Sequence, residues 1–385
     1  MKIGLMGCEF LSPNKGCEAL TYSIISILNK LDCIENSSII YNFSGTELGT
    51  IEKEFPKFKF INMKPKLKDI TFKYFKALHS CNIIFDATMG DSFSDIYSKS
   101  YYNHLIHHKK IAEILCKNYI LLPQTYGPFS DEKSEKSARG VFKKALKIYC
   151  RDEMSKKMLE DKFNIKNSEL TSDMAFILPY KKDLYKFKKS NKKKIGINVS
   201  GLLYKGGFEK NNQFGLKINY KDFINKLIEY LNNNYEVHLI SHVIDLSDNA
   251  HDDDYKVCES LQKKYNKCIL SPIFNNPIEA KSYISNMDYF IGSRMHATIA
   301  SFSSNVITIP ISYSRKFEGL FNSLNYKYVI NGKNEDVDSA LKKVKEYLNN
   351  ADKLKEQQDR SLKIIDEKCN SFIKSIENEI EKISR

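Results

Sequence analysis

The sequence predicts two doubly wound α/β domains that face a cleft, followed by a C-terminal helical tail. Short apolar runs alternate with amphipathic stretches along most of the chain, which is typical of strands and helices in a parallel sheet. The alternation breaks once, in the highly charged segment 181–194, and then resumes. A chain of 385 residues is long enough for each domain to bury its own core.

The first domain is predicted to span residues 1–180. It opens with a strand, Lys2–Met6, and apolar residues at helical spacing over Ala19–Leu31 predict the first helix. Five further apolar runs predict strands separated by helices, at Ser38–Phe43, Phe58–Met63, Asn82–Asp86, Tyr119–Pro123 and Lys147–Cys150. Because helices connect these strands, we expect the strands to run parallel.

Residues 181–194 are predicted to form an exposed linker, and residues 195–337 a second α/β domain. Its strands are predicted at Lys194–Val199, Glu236–Ser241, Lys267–Leu270, Tyr289–Ile291 and Val306–Ile309. Its helices are predicted at Tyr220–Asn232, Asp254–Tyr265, Pro277–Asn286 and Ala297–Ser303. Residues 338–385 are predicted to be helical, with Glu/Lys pairs at i,i+4 spacing, and to pack back across the hinge.

Composition excludes several classes of protein. Nine cysteines are scattered without a CxxC pair, which argues against a disulfide framework and against a zinc site. The net charge of +13 comes from lysines spread over the chain, with no nucleic-acid-binding module, so we expect no nucleic acid partner. This charge favours anionic substrates and peripheral contact with the anionic inner membrane leaflet. With no secretory leader and no apolar window of ~20 residues, we expect a cytoplasmic protein.

Ligands of doubly wound sheets lie beyond the carboxyl ends of the strands, so polar residues there are the site candidates. Asn14 lies in the loop between the first strand and the first helix, where backbone amides attract anions. The alternative is a loop that only caps the helix. Asp91 and Asp95 follow the fourth strand and are candidates for binding hydroxyls or transferring protons, unless Asp91 or Ser92 caps the next helix.

Two more candidates follow the next two strands. Gln124 ends a strand that runs into a Gly-Pro turn, where turn chemistry alone is the alternative. Arg151 ends the last strand of the first domain, and the chain has only six arginines. A guanidinium matches a carboxylate or phosphate bidentately. The alternative is a salt bridge to Asp152 or Glu153.

The sharpest pattern is the segment Tyr289–Ser301, in which a strand ends and an apolar helix begins at once. One turn there presents Arg294, Met295, His296 and the free amides of a helix start, which together suit a multiply charged anion. A histidine titrates near neutral pH, so His296 can also donate a proton. The loop His251–Asp254 indicates a solvated helix start in preference to a metal site.

Three candidates of the second domain remain. His242 follows the strand Glu236–Ser241, with a capping or core histidine as the alternative. Tyr313 and Lys316 follow the strand at Val306–Ile309, and either could instead lie on the surface.

These segments occur in an order that resembles a known family. They read NKGCEA from residue 14, DATMGDSFSDIY from 86, LPQTYGPF from 122, YCRDEMS from 149, SDMAF from 172, IGINVS from 195, LISH from 239, GSRMHATIAS from 292 and ISYSRKFEG from 311. Together they resemble the polysaccharide pyruvyl transferase family over roughly residues 1–330. The resemblance implies two Rossmann-like domains of the GT-B type, with phosphoenolpyruvate as donor substrate. It also implies that the product is a pyruvate ketal on a sugar of a cell-surface polysaccharide or its precursor.

The resemblance also implies roles for individual residues. Arg294, His296 and the helix start would hold phosphoenolpyruvate from the second domain, and Arg151 from the first. His296 would be the acid or contact the phosphate, and Asp91 or Asp95 would be the base for the acceptor hydroxyl. The remaining candidates, expected to bind substrate, are Met295, Asn14, Gln124, His242, Tyr313 and Lys316.

No redox cofactor and no metal are implied. The expected acceptor is a sugar or a lipid-linked oligosaccharide, and the long C-terminal helix would suit a homo-oligomer. Two other functions fit the pattern: a GT-B-type glycosyltransferase with a nucleotide-sugar donor, and a non-catalytic anion-binding or assembly protein.

Overall fold

The structure, a computed structural model, describes residues 1–63, 72–247 and 252–384, without the side chains of Arg315 and Lys316. The chain divides into two compact units. The first comprises Met1–Ser12, Leu20–Ile177 and Asp366–Arg385, and the second comprises Pro13–Ala19 and Leu178–Ile365. The sequence pattern gave no sign that the short segment Pro13–Ala19 belongs to the second unit.

The first unit is built on a seven-stranded sheet in the order β3-β2-β1-β4-β5-β6-β7. Its strands are β1 Lys2–Met6, β2 Ser38–Asn42, β3 Phe58–Asn62, β4 Ile83–Asp86, β5 Tyr119–Gln124, β6 Lys147–Cys150 and β7 Ser168–Leu170. All neighbouring strands pair in parallel, and Ile3 of β1 lies opposite Ile40 of β2 and Ile83 of β4. The predicted parallel arrangement is therefore confirmed for the first sheet.

The helices before residue 178 are α1 Lys15–Lys30, α2 Ile51–Glu54, α3 Phe72–Ser80, α4 Lys99–Leu115, α5 Glu132–Lys144 and α6 Glu153–Lys157. Side chains that accept from first-turn amides cap three of them: Ser98 for α4, Asp131 for α5 and Asp152 for α6. A short 3₁₀ turn, Thr88–Gly90, follows β4.

Aromatic side chains fill much of the core of the first unit. Phe142 packs against Phe93, Tyr126 and Phe163 with ring centroids 5.1–5.4 Å apart. In the C-terminal segment of this unit, Phe372 lies edge-on against Tyr149 of β6, 4.8 Å between centroids. Burying such rings stabilises a fold by roughly 1.5–3 kcal/mol each.

The second unit is built on a six-stranded sheet in the order β10-β9-β8-β11-β12-β13. Its strands are β8 Lys194–Asn198, β9 Glu236–Ile240, β10 Ile269–Leu270, β11 Tyr289–Gly292, β12 Ile307–Ser312 and β13 Ile330–Asn331. These strands are also parallel. The helices are α7 Gly201–Tyr204, α8 Tyr220–Asn234, α9 Asp254–Lys264, α10 Pro277–Ile284, α11 Met295–Ser303, α12 Arg315–Ser323, α13 Val337–Asn349 and α14 Ala351–Ser384.

The segment predicted as an exposed linker, 181–194, belongs to the second unit. Tyr185 and Phe187 pack against Tyr283 of α10, with ring centroids 5.2 and 5.1 Å away. The last turns of the second unit belong to α14, where Gln358 is buried and its amide oxygen accepts from the N–H of Thr308 at 3.1 Å. Among the described residues, no helix is both long enough and apolar enough to cross a membrane.

All the strands predicted from apolar runs are present, with ends shifted by at most three residues. The strands β7 and β13 were not predicted. They contain only three and two residues, so neither can show an alternating or apolar run. They extend the sheet edges by pairing with β6 and β12. This pairing depends on contacts between segments that come together only in the folded chain.

Candidate functional site

In the second unit, three adjacent strands end around one carboxylate, that of Asp254. This residue begins α9 and is fully buried. Its oxygens accept from the N–H of Gly201 at 2.7 Å, of His242 at 3.2 Å and of Val243 at 3.0 Å. Because Gly201 follows β8 and the other two follow β9, one side chain connects the carboxyl ends of neighbouring strands.

The same carboxylate also holds Arg294, which follows β11. The guanidinium donates from Nη2 to Asp254 at 2.7 Å and from Nη1 to Asp252 at 3.1 Å. Burial alone would lower the pKa of Arg294, but Asp254 and Asp252 raise it well above its usual value. Since most of its donors are occupied by two carboxylates, Arg294 anchors the loop. Direct contact of Arg294 with an anion stays a prediction.

The sequence predicts a solvated helix start in the loop His251–Asp254. The helix start is confirmed, but its solvation is not. A helix does begin at Asp254, capped by Asp253, but both side chains are fully buried. Burial of Asp254 is compensated by its ion pair with Arg294. His251 lies outside the described residues. Within the described part of the chain, no group of His, Cys, Asp and Glu could hold a metal ion.

The start of α11 carries no capping side chain. Its N-cap residue, Arg294, makes no side-chain hydrogen bond to the first turn. The N–H of Arg294 itself donates to Oδ1 of Asn198 at 2.8 Å, and the hydroxyl of the preceding residue, Ser293, is paired with that of Tyr220 at 2.6 Å. Within the described residues, the N-cap side chain therefore does not compensate the positive end of the helix dipole. That is the condition under which a helix start binds an external anion.

The loop 14–16 joins this site because Pro13–Ala19 belongs to the second unit. Asn14 bridges to Val243, and the N–H of Lys15 donates to the carbonyl of His242 at 3.0 Å. Oδ1 of Asn14 accepts from the N–H of Gly16 at 2.9 Å, which agrees with the alternative of a loop that caps the helix. Substrate binding by Asn14 stays a prediction. A Cβ built on Gly16 would lie 2.3 Å from Nδ1 of His296. The structure thus brings Asn14, His242 and His296 together.

His242 lies next to several positive groups. Burial, followed by His296, Arg294 and Lys15, lowers the pKa of His242 well below its ordinary value. At neutral pH its imidazole is therefore uncharged and offers one donor and one acceptor, without a cationic charge.

We expect Gly16→Ala to lower the free energy of unfolding by about 1–3 kcal/mol, because a methyl group would overlap the ring of His296. Chemical denaturation followed by circular dichroism would measure it. The matched control is Gly319→Ala in α12, where a Cβ meets nothing within 4 Å and the exchange should stabilise by about 0.4–1 kcal/mol. Equal effects of the two substitutions would show that the loop does not press against His296.

In the first unit, Arg151 lies buried beyond β6. Its Nη1 donates to Asp173 at 2.7 Å and its Nε to the hydroxyl of Thr125 at 3.0 Å. Burial lowers its pKa, but Asp173, Asp91 and Asp152 together raise it, so the group stays cationic. Its ion-pair partner is Asp173, not Asp152 or Glu153 as the alternative had it. Anion binding by Arg151 stays a prediction.

The two aspartates that follow β4 have different surroundings. Asp91 is half-buried and accepts from the hydroxyl of Tyr97 at 3.2 Å. Asp95 is buried and accepts from both the N–H and the hydroxyl of Ser130. Burial alone would raise the pKa of Asp95, but these hydrogen bonds lower it overall. Neither Asp91 nor Ser92 caps α4, since that helix begins at Lys99 with Ser98 as its cap.

The other predicted residues are distributed between the two units. Gln124 is fully buried in the first unit and donates to the carbonyl of Asp86 at 2.9 Å, which connects β5 to β4. Met295 is half-buried in the first turn of α11. Tyr313 packs against Phe214 with centroids 5.5 Å apart. The side chain of Lys316 lies outside the described part of the structure.

The chain was compared with solved structures. Anabaena Alr3699/HepE in complex with UDP-glucose matches with a TM-score of 0.58 and 10% identity, over 99% of this chain and 98% of that one. The S. aureus MnaA–UDP structure matches with a TM-score of 0.57 and 14% identity, over 94% and 91% of the two chains. Neisseria meningitidis UDP-GlcNAc 2-epimerase bound to UDP-GlcNAc matches with a TM-score of 0.54 and 13% identity, over 96% and 100%. At these identities the likeness shows the fold, which is GT-B.

Sequence comparison with curated proteins finds no significant match. The model of one family, described as polysaccharide pyruvyl transferase, matches residues 14–315. That range begins at Asn14 and includes the starts of α11 and α12. The match covers most of the sequence, and the chain belongs to the polysaccharide pyruvyl transferase family.

Proposed function

We propose that this protein transfers the pyruvyl group of phosphoenolpyruvate to sugar hydroxyls of a cell-surface polysaccharide or its precursor. The product would be a pyruvate ketal, with release of phosphate. The observation that carries the proposal is the uncapped start of α11, with His296 in its first turn, in a chain of this family. A helix start without a cap suits the phosphate or the carboxylate of the donor.

The proposed chemistry uses groups that the chain supplies. An acid, for which His296 is our first choice, protonates the methylene carbon and leaves cationic character on the adjacent carbon. A sugar hydroxyl attacks that carbon and loses its proton to a base, phosphate departs, and a second hydroxyl closes the ketal. Of the two aspartates, Asp91 is the better candidate base, because the pKa of Asp95 is lowered by its bonds to Ser130.

Two of the groups that the sequence indicated for the second domain offer no uncompensated positive charge to the donor. Arg294 is already compensated by Asp252 and Asp254, and His242 is neutral at neutral pH. The partial positive charge of the helix start and the imidazole of His296 therefore become the proposed donor ligands in the second unit. The reaction involves no net oxidation or reduction, so it requires no redox cofactor.

Calorimetric titration with phosphoenolpyruvate tests the donor site, using Met295→Pro beside Met295→Ala. Proline at the first helical position keeps the helix but removes one amide donor. Arg294 already has φ −90° and ψ 125°, the extended conformation favoured before proline. We expect the proline variant to bind roughly 10- to 100-fold more weakly than the alanine variant, as for loss of a hydrogen bond to a charged group.

Similar affinities of the two variants would place the donor elsewhere, and a folded wild type that binds no phosphoenolpyruvate would argue against the proposed reaction. The second candidate is a glycosyltransferase with a nucleotide-sugar donor, since the structures of the same fold hold UDP-glucose, UDP and UDP-GlcNAc. A parallel titration with UDP-glucose decides between them. Saturable UDP-glucose binding without phosphoenolpyruvate binding would favour the glycosyltransferase.

A sugar acceptor carried on a lipid would fit the basic surface, since a net charge of +13 favours peripheral contact with anionic membrane lipids. We propose such contact, and homo-oligomerisation through the long helix α14, as secondary features of the same function. Co-sedimentation with vesicles of anionic lipid and sedimentation velocity would measure them.

A further inference from the structure

The first unit contains a cavity of about 160 Å³ that none of the predicted site residues lines. Its wall includes Met6 and Gly7 at the end of β1, Phe43 and Ser44 after β2, and Asp86 at the end of β4. In the sheet, β2 and β3 lie on one side of β1, and β4 and β5 lie on its other side. The cavity thus lies at the topological switch point between β1 and β4, where doubly wound sheets bind their ligands.

The floor of the cavity is a buried ion pair between Asp86 and Lys109. Lys109 donates to Asp86 and, at 2.7 Å, to the hydroxyl of Thr88. Asp86 also accepts from the hydroxyl of Tyr119 and from the N–H of Thr88. Because each charge is compensated inside the fold, the floor offers polar surface without a net charge. An uncharged polar ligand therefore suits it better than a small ion.

The walls offer hydrogen-bonding groups and one aromatic face. Glu9, Ser44 and Thr46 line the cavity, together with Tyr101, His104 and His108 of α4. The rings of His104 and His108 lie 4.4 Å apart, and Nδ1 of His108 is paired with the hydroxyl of Tyr74 at 3.3 Å. Burial, followed by repulsion from His104, lowers the pKa of His108 to about 4, so this imidazole is neutral near pH 7.

We propose that this cavity binds one sugar ring of the acceptor, with α4 presenting His104, His108 and Tyr101 to its hydroxyls and its apolar face. A carboxylate, hydroxyls, imidazole nitrogens and an aromatic ring match a polyhydroxylated ring that has one apolar face. The volume is below the ~300–1,000 Å³ typical of pockets for drug-sized ligands, which limits the occupant to a single ring. That this sugar is the acceptor of the reaction rests on the proposed function, whereas sugar binding in the cavity does not.

The test compares His104→Ala with His107→Ala, two identical exchanges on the same helix. His104 lines the cavity, whereas His107 is exposed and does not. The probes are methyl pyranosides of gluco, galacto and manno configuration, whose binding is measured by saturation-transfer difference NMR. We expect at least one pyranoside to bind the wild type, with affinity about tenfold weaker in His104→Ala and unchanged in His107→Ala. Thermal melting of each variant confirms that it is folded.

The same three proteins are titrated with phosphoenolpyruvate, which separates the two proposals. Loss of pyranoside binding in His104→Ala with unchanged phosphoenolpyruvate affinity supports the cavity as the sugar site. Equal pyranoside affinity in both variants, or no pyranoside binding by the wild type at millimolar concentration, overturns the cavity assignment even if phosphoenolpyruvate binds. Pyranoside binding that depends on His104, without any phosphoenolpyruvate binding, would keep the sugar site and contradict the proposed donor.

Discussion

Replacing Asp254 by alanine is expected to lower the free energy of unfolding of the second unit by about 3–5 kcal/mol, the usual cost of removing one partner from a buried ion pair. The substitution leaves the guanidinium of Arg294 with only Asp252, whose side chain is partly exposed. It also removes the acceptor for the N–H groups of Gly201, His242 and Val243. Urea denaturation followed by circular dichroism measures the change.

The matched control is Asp338→Ala. Asp338 pairs with Lys226 on the surface, and its side chain is 89% exposed. Removing an exposed ion pair should cost no more than about 1 kcal/mol. If the two alanine variants unfold at the same urea concentration, the carboxylate of Asp254 does not organise the strand ends. Asp254→Asn separates the ion pair with Arg294 from the hydrogen bonds to the backbone, because it removes the charge but keeps an oxygen acceptor.

The variant His296→Gln is expected to lower kcat by roughly 10²–10⁴-fold, the usual contribution of a general acid or base. Glutamine keeps a polar side chain that can reach the start of α11 but cannot donate a proton to carbon at neutral pH. Release of phosphate from phosphoenolpyruvate in the presence of a sugar acceptor measures the rate. If His296 only contacts the phosphate, KM for phosphoenolpyruvate rises while kcat changes little.

The control for this prediction is His79→Gln, since His79 is exposed in the last turn of α3. Its kcat and KM should equal those of the wild type. A His296→Gln enzyme with wild-type kcat and KM would remove this residue from the mechanism. The donor would then have to be held by other groups of the chain.

Local patterns predicted the sheets well because most strands are short apolar runs. The helices between them show apolar residues at helical spacing. They also predicted where the polar loop residues lie, since a polar residue just after a strand must lie at the carboxyl edge of a parallel sheet. His296, Asn14 and His242 were identified in this way, and the structure brings them together around Gly16. The contact between Gly16 and His296 joins residues 280 positions apart, so no local pattern could indicate it.

The ion-pair partners of Arg294 and Arg151 were missed for the same reason. Asp252 and Asp254 lie at the start of α9, whereas Arg294 follows β11. Asp173 lies beyond β7, whereas Arg151 follows β6. A sequence shows that an arginine is scarce and ends a strand, but not whether a carboxylate from another loop already compensates it. The cavity beside α4 was also missed, because its wall combines the ends of three strands with one face of a helix.

The sequence by itself determined the fold class, the order of most strands and helices, and the membership of a family whose motifs follow strand ends. These features depend on periodicity and on residue types within a few positions of one another. The tertiary structure alone decided which charged groups are compensated and which segments belong to each unit. Charge compensation and burial depend on atoms that are close in space, and the chain brings distant residues together only when the sheets form.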